Sequence, residues 1–324
     1  MKIAVLDDYA DAFRTTRAFM RLQGNHEVVV FHDTEKDPTL LAARLDGADA
    51  VLLTQQRSPF PRAVIEKLTT VRWIAQTGRN THHIDLAACS EKGIGVVTAL
   101  PGAAYATVEL TWGLILASVR HIPVEVQNLK QGIWQSTVGT GLRGTTLGVY
   151  ALGRIGGAVA QVGKAFGMKV LVWGREKSLS AARDAGYDAA PSREAFFENA
   201  DIVTLHLPLS EATRGIVTAG DLARMKKTAL LVNTSRARLI EEGALVRALE
   251  LGRPGFAAID VYEDEPVLGR NHPLLDRPNA LCTPHLGYAE KGTYETYYGA
   301  TIDALLDAMA APPRSRPDRL SRPL

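Results

Sequence analysis

The sequence predicts an α/β protein of two units, each built on a parallel sheet, with a cleft between them. Short apolar runs alternate with helical patterns along nearly the whole chain, which is how successive βαβ units read. A glycine-containing strand–loop–helix segment stands mid-chain, at residues 147–166, and marks the start of a second α/β series. The length of 324 residues fits two domains, since one domain usually takes ~100–200.

The first series places strands at residues 3–6, 28–31, 50–53, 73–76 and 94–97, each a short apolar run. Helical patterns at 10–22, 39–45, 62–68 and 86–92 fill the gaps. No glycine-rich loop follows the first strand, so this unit is not expected to hold a nucleotide. Pro101-Gly102 breaks the pattern. Residues 106–120 then read as a helix apolar nearly all round, with Val108, Leu110, Trp112, Leu114, Ile115 and Leu116. Such a helix is buried or covered by a partner subunit. Residues 124–143 read as irregular, rich in Gly and Gln around Trp134.

The second series runs through a strand at 147–151, a helix at 155–166 and a strand at 169–173. Helices at 180–185 and 193–199, strands at 202–205 and 229–232, and a helix at 243–251 follow. Strands at 256–260 and 280–283 and a closing helix at 292–309 complete it. The tail after Ala310 is rich in Pro and Arg, a composition that cannot pack a core.

Lys and Arg number 37 against 35 Asp and Glu, so bulk charge does not suggest a nucleic-acid binder. The two cysteines, Cys89 and Cys282, are far apart and in no metal-ligand spacing. They read as free thiols of a reducing compartment. The N-terminus lacks a signal-peptide pattern, and no run approaches the ~20 apolar residues that cross a bilayer. A cytoplasmic protein without a membrane partner is expected.

Residues 148–157, Gly-Val-Tyr-Ala-Leu-Gly-Arg-Ile-Gly-Gly, follow a strand and open a helix. They match the dinucleotide fingerprint at Gly153 and Gly156. Gly153 would let backbone approach a pyrophosphate, and Gly156 would let helix pack on strand. The pyrophosphate would rest on N–H groups at the helix start. The other reading is a turn whose glycines serve packing alone. An acid usually ends the second strand of such a unit and binds the ribose. Here that place is Gly174, followed by Arg175. With no carboxylate to repel a 2′-phosphate, and an arginine to pair with it, NADP is favoured over NAD. The alternative leaves Arg175 in solvent and gives the ribose to Glu176. The reading at this point is two Rossmann-like domains. Residues 102–288 form the dinucleotide-binding one. Residues 1–101 with 289–324 form the outer one.

Three further segments follow late strands, at the sheet edge where open α/β folds bind ligands. They are Asn233-Thr234-Ser235-Arg236, Asp260-Val261-Tyr262-Glu263-Asp264-Glu265-Pro266 and Thr283-Pro284-His285. Arg236 can hold a carboxylate bidentately. His285 can move a hydroxyl proton near neutral pH. A Glu beside that His, as Glu265 would be, fixes its tautomer and favours its charged form. This is the set that a 2-oxo or 2-hydroxy acid reaction needs.

With these motifs the chain resembles the D-isomer-specific 2-hydroxyacid dehydrogenases, from the first strand to the closing helix. The motifs N-x-S-R, D-V-Y-x-x-E-P and T-P-H, in this order, carry the resemblance. It implies a hydride transfer between NAD(P) and a small D-2-hydroxy acid or its 2-oxo form. Arg236 would bind the substrate carboxylate, Glu265 would partner the histidine, and His285 would be the acid/base. Cofactor contacts would fall on Arg154, Ile155, Leu207, Pro208, Thr213, Thr234, Ser235, Arg236 and Asp260. Substrate would also meet backbone amides of the loop holding Gly78, Arg79 and Asn80. A homodimer that buries residues 106–120 and 124–143 is expected, as in similar family members.

The chain departs from the family pattern in places. Ala151 replaces the first glycine of the fingerprint, and Ala237 follows Arg236 where glycine is usual. Pro284 stands where the formate dehydrogenases of the superfamily carry Gln, which disfavours formate. The corepressors that resemble this family keep a similar trio, so a nucleotide-dependent protein-docking platform is the alternative function. His82 and His83 have no further ligand at metal spacing, and no metal site is expected. His206 reads as a strand-end packing residue, and Arg57 either as solvated or as facing the cleft.

Overall fold

The computed structural model describes residues 1–99 and 105–310. The Pro101-Gly102 break and the tail after Ala310 lie outside them. The chain divides into two compact units, Met1–Ala103 with Ala289–Leu324, and Ala104–Tyr288.

The first unit is built on β1 (Lys2–Leu6), α1 (Arg17–Leu22), β2 (Glu27–Val30), α2 (Pro38–Arg44), β3 (Ala50–Leu53), α3 (Arg62–Ile65), β4 (Trp73–Gln76), α4 (Leu86–Glu91) and β5 (Gly95–Thr98). Its strands pair in parallel in the order β2-β1-β3-β4-β5, the flavodoxin-like order. β1, β3 and β4 are buried almost throughout. Central strands covered by helices on both faces read as unbroken apolar runs. The single helix expected at 10–22 is instead a 3₁₀ turn at Phe13–Thr15 followed by α1. The Asp8 carboxylate takes the Ala12 and Phe13 amides at 2.9 and 2.8 Å. Thr16 then caps α1, its hydroxyl accepting from the Phe19 amide. Two local side-chain acceptors thus divide the helix.

The second unit opens with α5 (Tyr105–Val119) and α6 (Ile122–Lys130). It continues with β6 (Thr146–Tyr150), α7 (Arg154–Ala165), β7 (Lys169–Trp173), α8 (Glu176–Asp184), β8 (Asp188–Ala189), α9 (Arg193–Asn199), β9 (Ile202–Leu205), α10 (Ala219–Arg224), β10 (Leu230–Asn233), α11 (Ala244–Glu250), β11 (Phe256–Ile259) and β12 (Ala280–Cys282). The chain then returns to the first unit through α12 (Lys291–Ala310). There Tyr298, Ile302 and Leu305 are fully buried in a core shared with Ile3, Phe13 and Leu52.

The second sheet is parallel, in the order β12-β11-β10-β9-β6-β7-β8. The order reverses at β6, which pairs with β7 on one side and β9 on the other. That reversal opens the crevice in which doubly wound sheets bind ligands. α5 lies mostly within its own unit, with Val108, Trp112, Leu114 and Ile115 in one core with Leu147 and Val159. Residues 124–143, expected to be irregular, instead begin in α6. None of the residues of α6 is buried, and Ile122, Val124, Val126 and Leu129 stay exposed. α10 was not expected either. Thr218 and Asp221 form a capping box at its start, a signal that the sequence does carry.

Candidate functional site

The loop after β6 departs from glycine where the fingerprint usually has it. Ala151 takes φ 75°, and its amide donates to the Trp173 carbonyl at 2.8 Å. The left-handed turn thus survives without glycine, at the strain an alanine pays there. Gly153 is the N-cap of α7, with no side chain capping the helix. The first-turn N–H groups have no intrahelical partner and carry the positive end of the helix dipole. Arg154 and Ile155 form that first turn. A Cβ at Gly156 would overlap the Ala151 carbonyl oxygen, so only glycine lets α7 sit this close to β6. These residues fit the pyrophosphate of a dinucleotide.

The end of β7 decides what the ribose would meet. A Cβ at Gly174 would stand 3.1 Å from both Cβ and Oγ of Ser178. Ser178 Oγ in turn accepts from the Leu152 amide of the phosphate loop at 3.2 Å. An acidic side chain at this position would therefore push into the loop's own support. Arg175 is exposed at the N-cap of α8. Glu176 is paired at 2.9 Å with Arg183 on the same helix.

The ends of β9 and β10 are knitted together. Ser235 Oγ donates to the Leu207 carbonyl at 2.7 Å. Thr213 Oγ1 donates to the Pro208 carbonyl at 2.7 Å. The Thr234 and Thr111 hydroxyls share a hydrogen bond of 2.8 Å. Asn233 braces the Arg236 turn from both sides. Its Nδ2 donates to the Arg236 carbonyl at 2.9 Å, and its Oδ1 accepts from the Ser235 amide at 3.0 Å. The Arg236 side chain is exposed, with Nη1 donating to the Ser235 carbonyl at 2.7 Å.

β11 and β12 bring Glu265 and His285 together. His285 Nδ1 lies 2.6 Å from Glu265 Oε2, and the two side chains are 21% and 17% exposed. The pair is thus shielded enough to strengthen its bond yet open on one side. Glu265 Oε1 accepts from the Tyr262 amide at 2.9 Å. His285 has φ 52°, its amide donates to the Thr283 carbonyl at 3.0 Å, and Tyr288 stands edge-on 5.7 Å away. A non-glycine residue in the left-handed region concentrates at sites where geometry matters.

Asp260 is fully buried at the end of β11. Its Oδ1 accepts from Thr283 Oγ1 at 2.6 Å and from the Leu286 amide at 2.7 Å. Its Oδ2 accepts from the Gly287 amide at 2.9 Å. Burial pushes the Asp260 carboxyl above its usual range, opposed by these bonds and by the nearby His285. Both of its oxygens hold the loop that carries His285.

β10, β11 and β12 are consecutive neighbours, with Asn233 opposite Ile259 and Ile259 opposite Cys282. Arg236, Glu265 and His285 therefore extend from adjacent strand ends. His206 ends β9, the next strand over. Its Nε2 is 3.0 Å from Thr204 Oγ1, and burial pushes its ring down to about 4. It is neutral at physiological pH.

Gly78, Arg79 and Asn80 lie in the first unit, after β4. Gly78 has φ 82°, Arg79 and Asn80 are exposed, and Asn80 Oδ1 is 2.5 Å from His82 Nδ1. His83 Nε2 is 3.1 Å from Gln76 Oε1, and burial pushes His83 down to about 4. Among the described residues no group of His, Cys, Asp and Glu is placed to hold a metal ion. No helix among them is long and apolar enough to cross a membrane.

Residues 112–287 match the model of the D-isomer specific 2-hydroxyacid dehydrogenase NAD binding domain. The D-3-phosphoglycerate dehydrogenase of Methanocaldococcus jannaschii is 39% identical over 249 residues, which cover 76% of this chain and 47% of that protein. The glyoxylate reductase of Aeropyrum pernix is 37% identical over 240 residues, 71% of each chain. The chain thus spans about half the length of the phosphoglycerate dehydrogenases that it matches. The crystal structure of a phosphoglycerate oxidoreductase from Vibrio cholerae o395 has a TM-score of 0.91 to this one. The two are 45% identical, with 96% of this chain and 100% of that chain covered.

Proposed function

The chain belongs to the D-isomer-specific 2-hydroxyacid dehydrogenase family, and on that premise we propose that it interconverts a small D-2-hydroxy acid and its 2-oxo form with a nicotinamide dinucleotide. The observation that carries the reading is the 2.6 Å Glu265–His285 pair on the strand end next to Arg236. The cofactor, when bound, supplies hydride exchange. The phosphate loop with Gly153, Arg154, Ile155 and Gly156 would hold it, along with Leu207, Pro208, Thr213, Thr234 and Ser235.

The remaining chemistry belongs to the side chains. Glu265 engages Nδ1 of His285 at 2.6 Å, and in this reading Nε2 is the atom that meets the substrate. In oxidation Nε2 takes the C2 hydroxyl proton; in reduction it returns it. Glu265 holds the ring's tautomer and direction. Arg236 holds the carboxylate and sets C2 in place. The first unit carries the remaining proposed substrate residues, Gly78, Arg79 and Asn80. The direct test follows NAD(P)H absorbance with a panel of 2-oxo acids that includes glyoxylate and hydroxypyruvate. Turnover on none of them, with clear cofactor binding, would overturn the reading in favour of a protein-docking platform.

The cofactor is proposed to be NADPH in preference to NADH. Gly174 offers no carboxylate, Glu176 pairs with Arg183, and exposed Arg175 would meet a 2′-phosphate. Arg175→Ala is expected to weaken NADPH binding roughly 10- to 100-fold, the worth of a hydrogen bond to a charged group. NADH binding should change by less than about twofold. Equal losses for both cofactors in a titration would show that Arg175 does not read the phosphate.

A homodimer is proposed through α6 and the arm that follows. Val126, Leu129, Ile133, Trp134 and Val138 stand exposed there, from 46% to 94%. An apolar surface of this kind marks an interface. α5 contributes less than its sequence suggested, because its own unit covers most of it. Sedimentation at micromolar concentration should give a dimer; a monomer would refute the proposal. Free Cys89 and Cys282 suit a reducing compartment, the cytoplasm.

A further inference from the structure

Glu265 and His285 sit on separate loops, and one side chain ties the two together. The Tyr262 amide donates to Glu265 Oε1 at 2.9 Å. The hydroxyl of the same residue donates to the Thr283 carbonyl at 3.0 Å. That carbonyl also receives the His285 amide. It is therefore the pivot of the tight turn that puts His285 at φ 52°. The Tyr262 ring is 9% exposed, and burial keeps its phenol protonated, pushed well above the usual range. It is a donor at every working pH.

The ring itself is held from behind. His272 packs edge-on against it, with centroids 4.9 Å apart and planes at 71°. The Leu274 amide donates to His272 Nδ1 at 3.3 Å. This leaves the ring proton on Nε2, which lies 3.0 Å from Glu263 Oε2. His272 and Glu263 thus close a frame around Tyr262. Asp260 anchors the histidine loop at Thr283 Oγ1, Leu286 and Gly287. None of those bonds reaches the Thr283 carbonyl.

We propose that Tyr262 is a positioning residue for the Glu265–His285 pair, its hydroxyl fixing the turn that aims His285 while its amide fixes the carboxylate. The inference rests on the reading of His285 as the acid/base. In a strained left-handed turn, losing one of the two donors on the pivot carbonyl lets the backbone relax. A shift of the ring by a fraction of an ångström then lengthens the path of the proton, and misplacement near 1 Å can cost ~10²-fold.

The test is Tyr262→Phe, which keeps the ring, the amide and the packing and removes only the hydroxyl. We expect kcat to fall roughly 10-fold, with KM for the acid and Kd for the cofactor within about twofold. The solvent deuterium isotope effect on kcat should rise, because a misaligned donor makes proton transfer slower than the other steps. The melting temperature should change little. Unchanged kcat and isotope effect in the folded variant would overturn the proposal. So would a parallel loss of cofactor binding, kcat and melting temperature, which would mark a merely structural role. His285→Ala in the same assay separates the two levels. Low turnover there beside unchanged Tyr262→Phe removes this inference alone. Near-normal turnover in His285→Ala removes the acid/base reading and this inference with it.

Discussion

His285→Ala is expected to cut turnover by ~10²–10⁴-fold, the usual worth of a positioned general acid or base, and to leave nicotinamide-cofactor binding intact. The expectation follows from geometry. Glu265 Oε2 engages Nδ1 at 2.6 Å, so the ring has one fixed orientation. Asp260, on a buried strand end, grips the loop on both sides of His285. An alanine keeps these anchors of the loop and removes the proton carrier together with its bond to Glu265. The other candidate nearby is His206. Its ring is held neutral by burial, down to about 4, and its Nε2 is already hydrogen-bonded to Thr204. That makes it a poorer proton donor near pH 7 than His285 would be. Single-turnover and steady-state rates with a 2-oxo acid and NAD(P)H, beside a cofactor titration, make the measurement. If the variant keeps near-normal turnover at neutral pH, His285 is misassigned and His206 is the next residue to change.

Much of the scaffold could be read in the sequence because the sheets are parallel and covered on both faces. Runs such as Ile202–Leu205 and Ala50–Leu53 are buried throughout, and a buried strand announces itself as an apolar run. The candidate site could be read because its residues sit at strand ends within short motifs. What failed to show has physical causes. α6 buries no residue in its own chain; its apolar positions Ile122, Val126 and Leu129 do stand at i, i+4 and i+7, but the Gly and Gln around them make the segment read as irregular. Ala151 stands in a left-handed turn that the residue type argues against; the surrounding loop overrides the preference. Asn233 and Tyr262 stand inside the short motifs, but their contacts, like those of His272, are to backbone groups or to other supporting side chains, which the motifs do not reveal. A hydroxyl that finds a carbonyl twenty-one residues away leaves no pattern in the sequence. The capping box of α10, by contrast, was present as Thr218 and Asp221 and could have been found.

Arg236→Ala is expected to raise KM for the acid roughly 10- to 100-fold and to lower kcat by a further ~10-fold or more. The first figure is the worth of a charge-assisted bond to a carboxylate. The second is the cost of losing the placement that brings C2 to the hydride and its hydroxyl to His285. The two effects should appear together, since in the proposed role the guanidinium would bind the ground state and also orient it. Its backbone is pinned by two bonds from the Asn233 side chain. The side chain is exposed and leans on the Ser235 carbonyl through Nη1. Removing it vacates an exposed position, so folding should survive. Arg236→Lys sharpens the test. Lysine keeps the charge but loses the planar fork that grips both carboxylate oxygens. It should recover part of the KM loss and little of kcat. Steady-state kinetics of the two variants with one 2-oxo acid decide the point. A variant Arg236→Ala with unchanged KM would show that the carboxylate is held elsewhere.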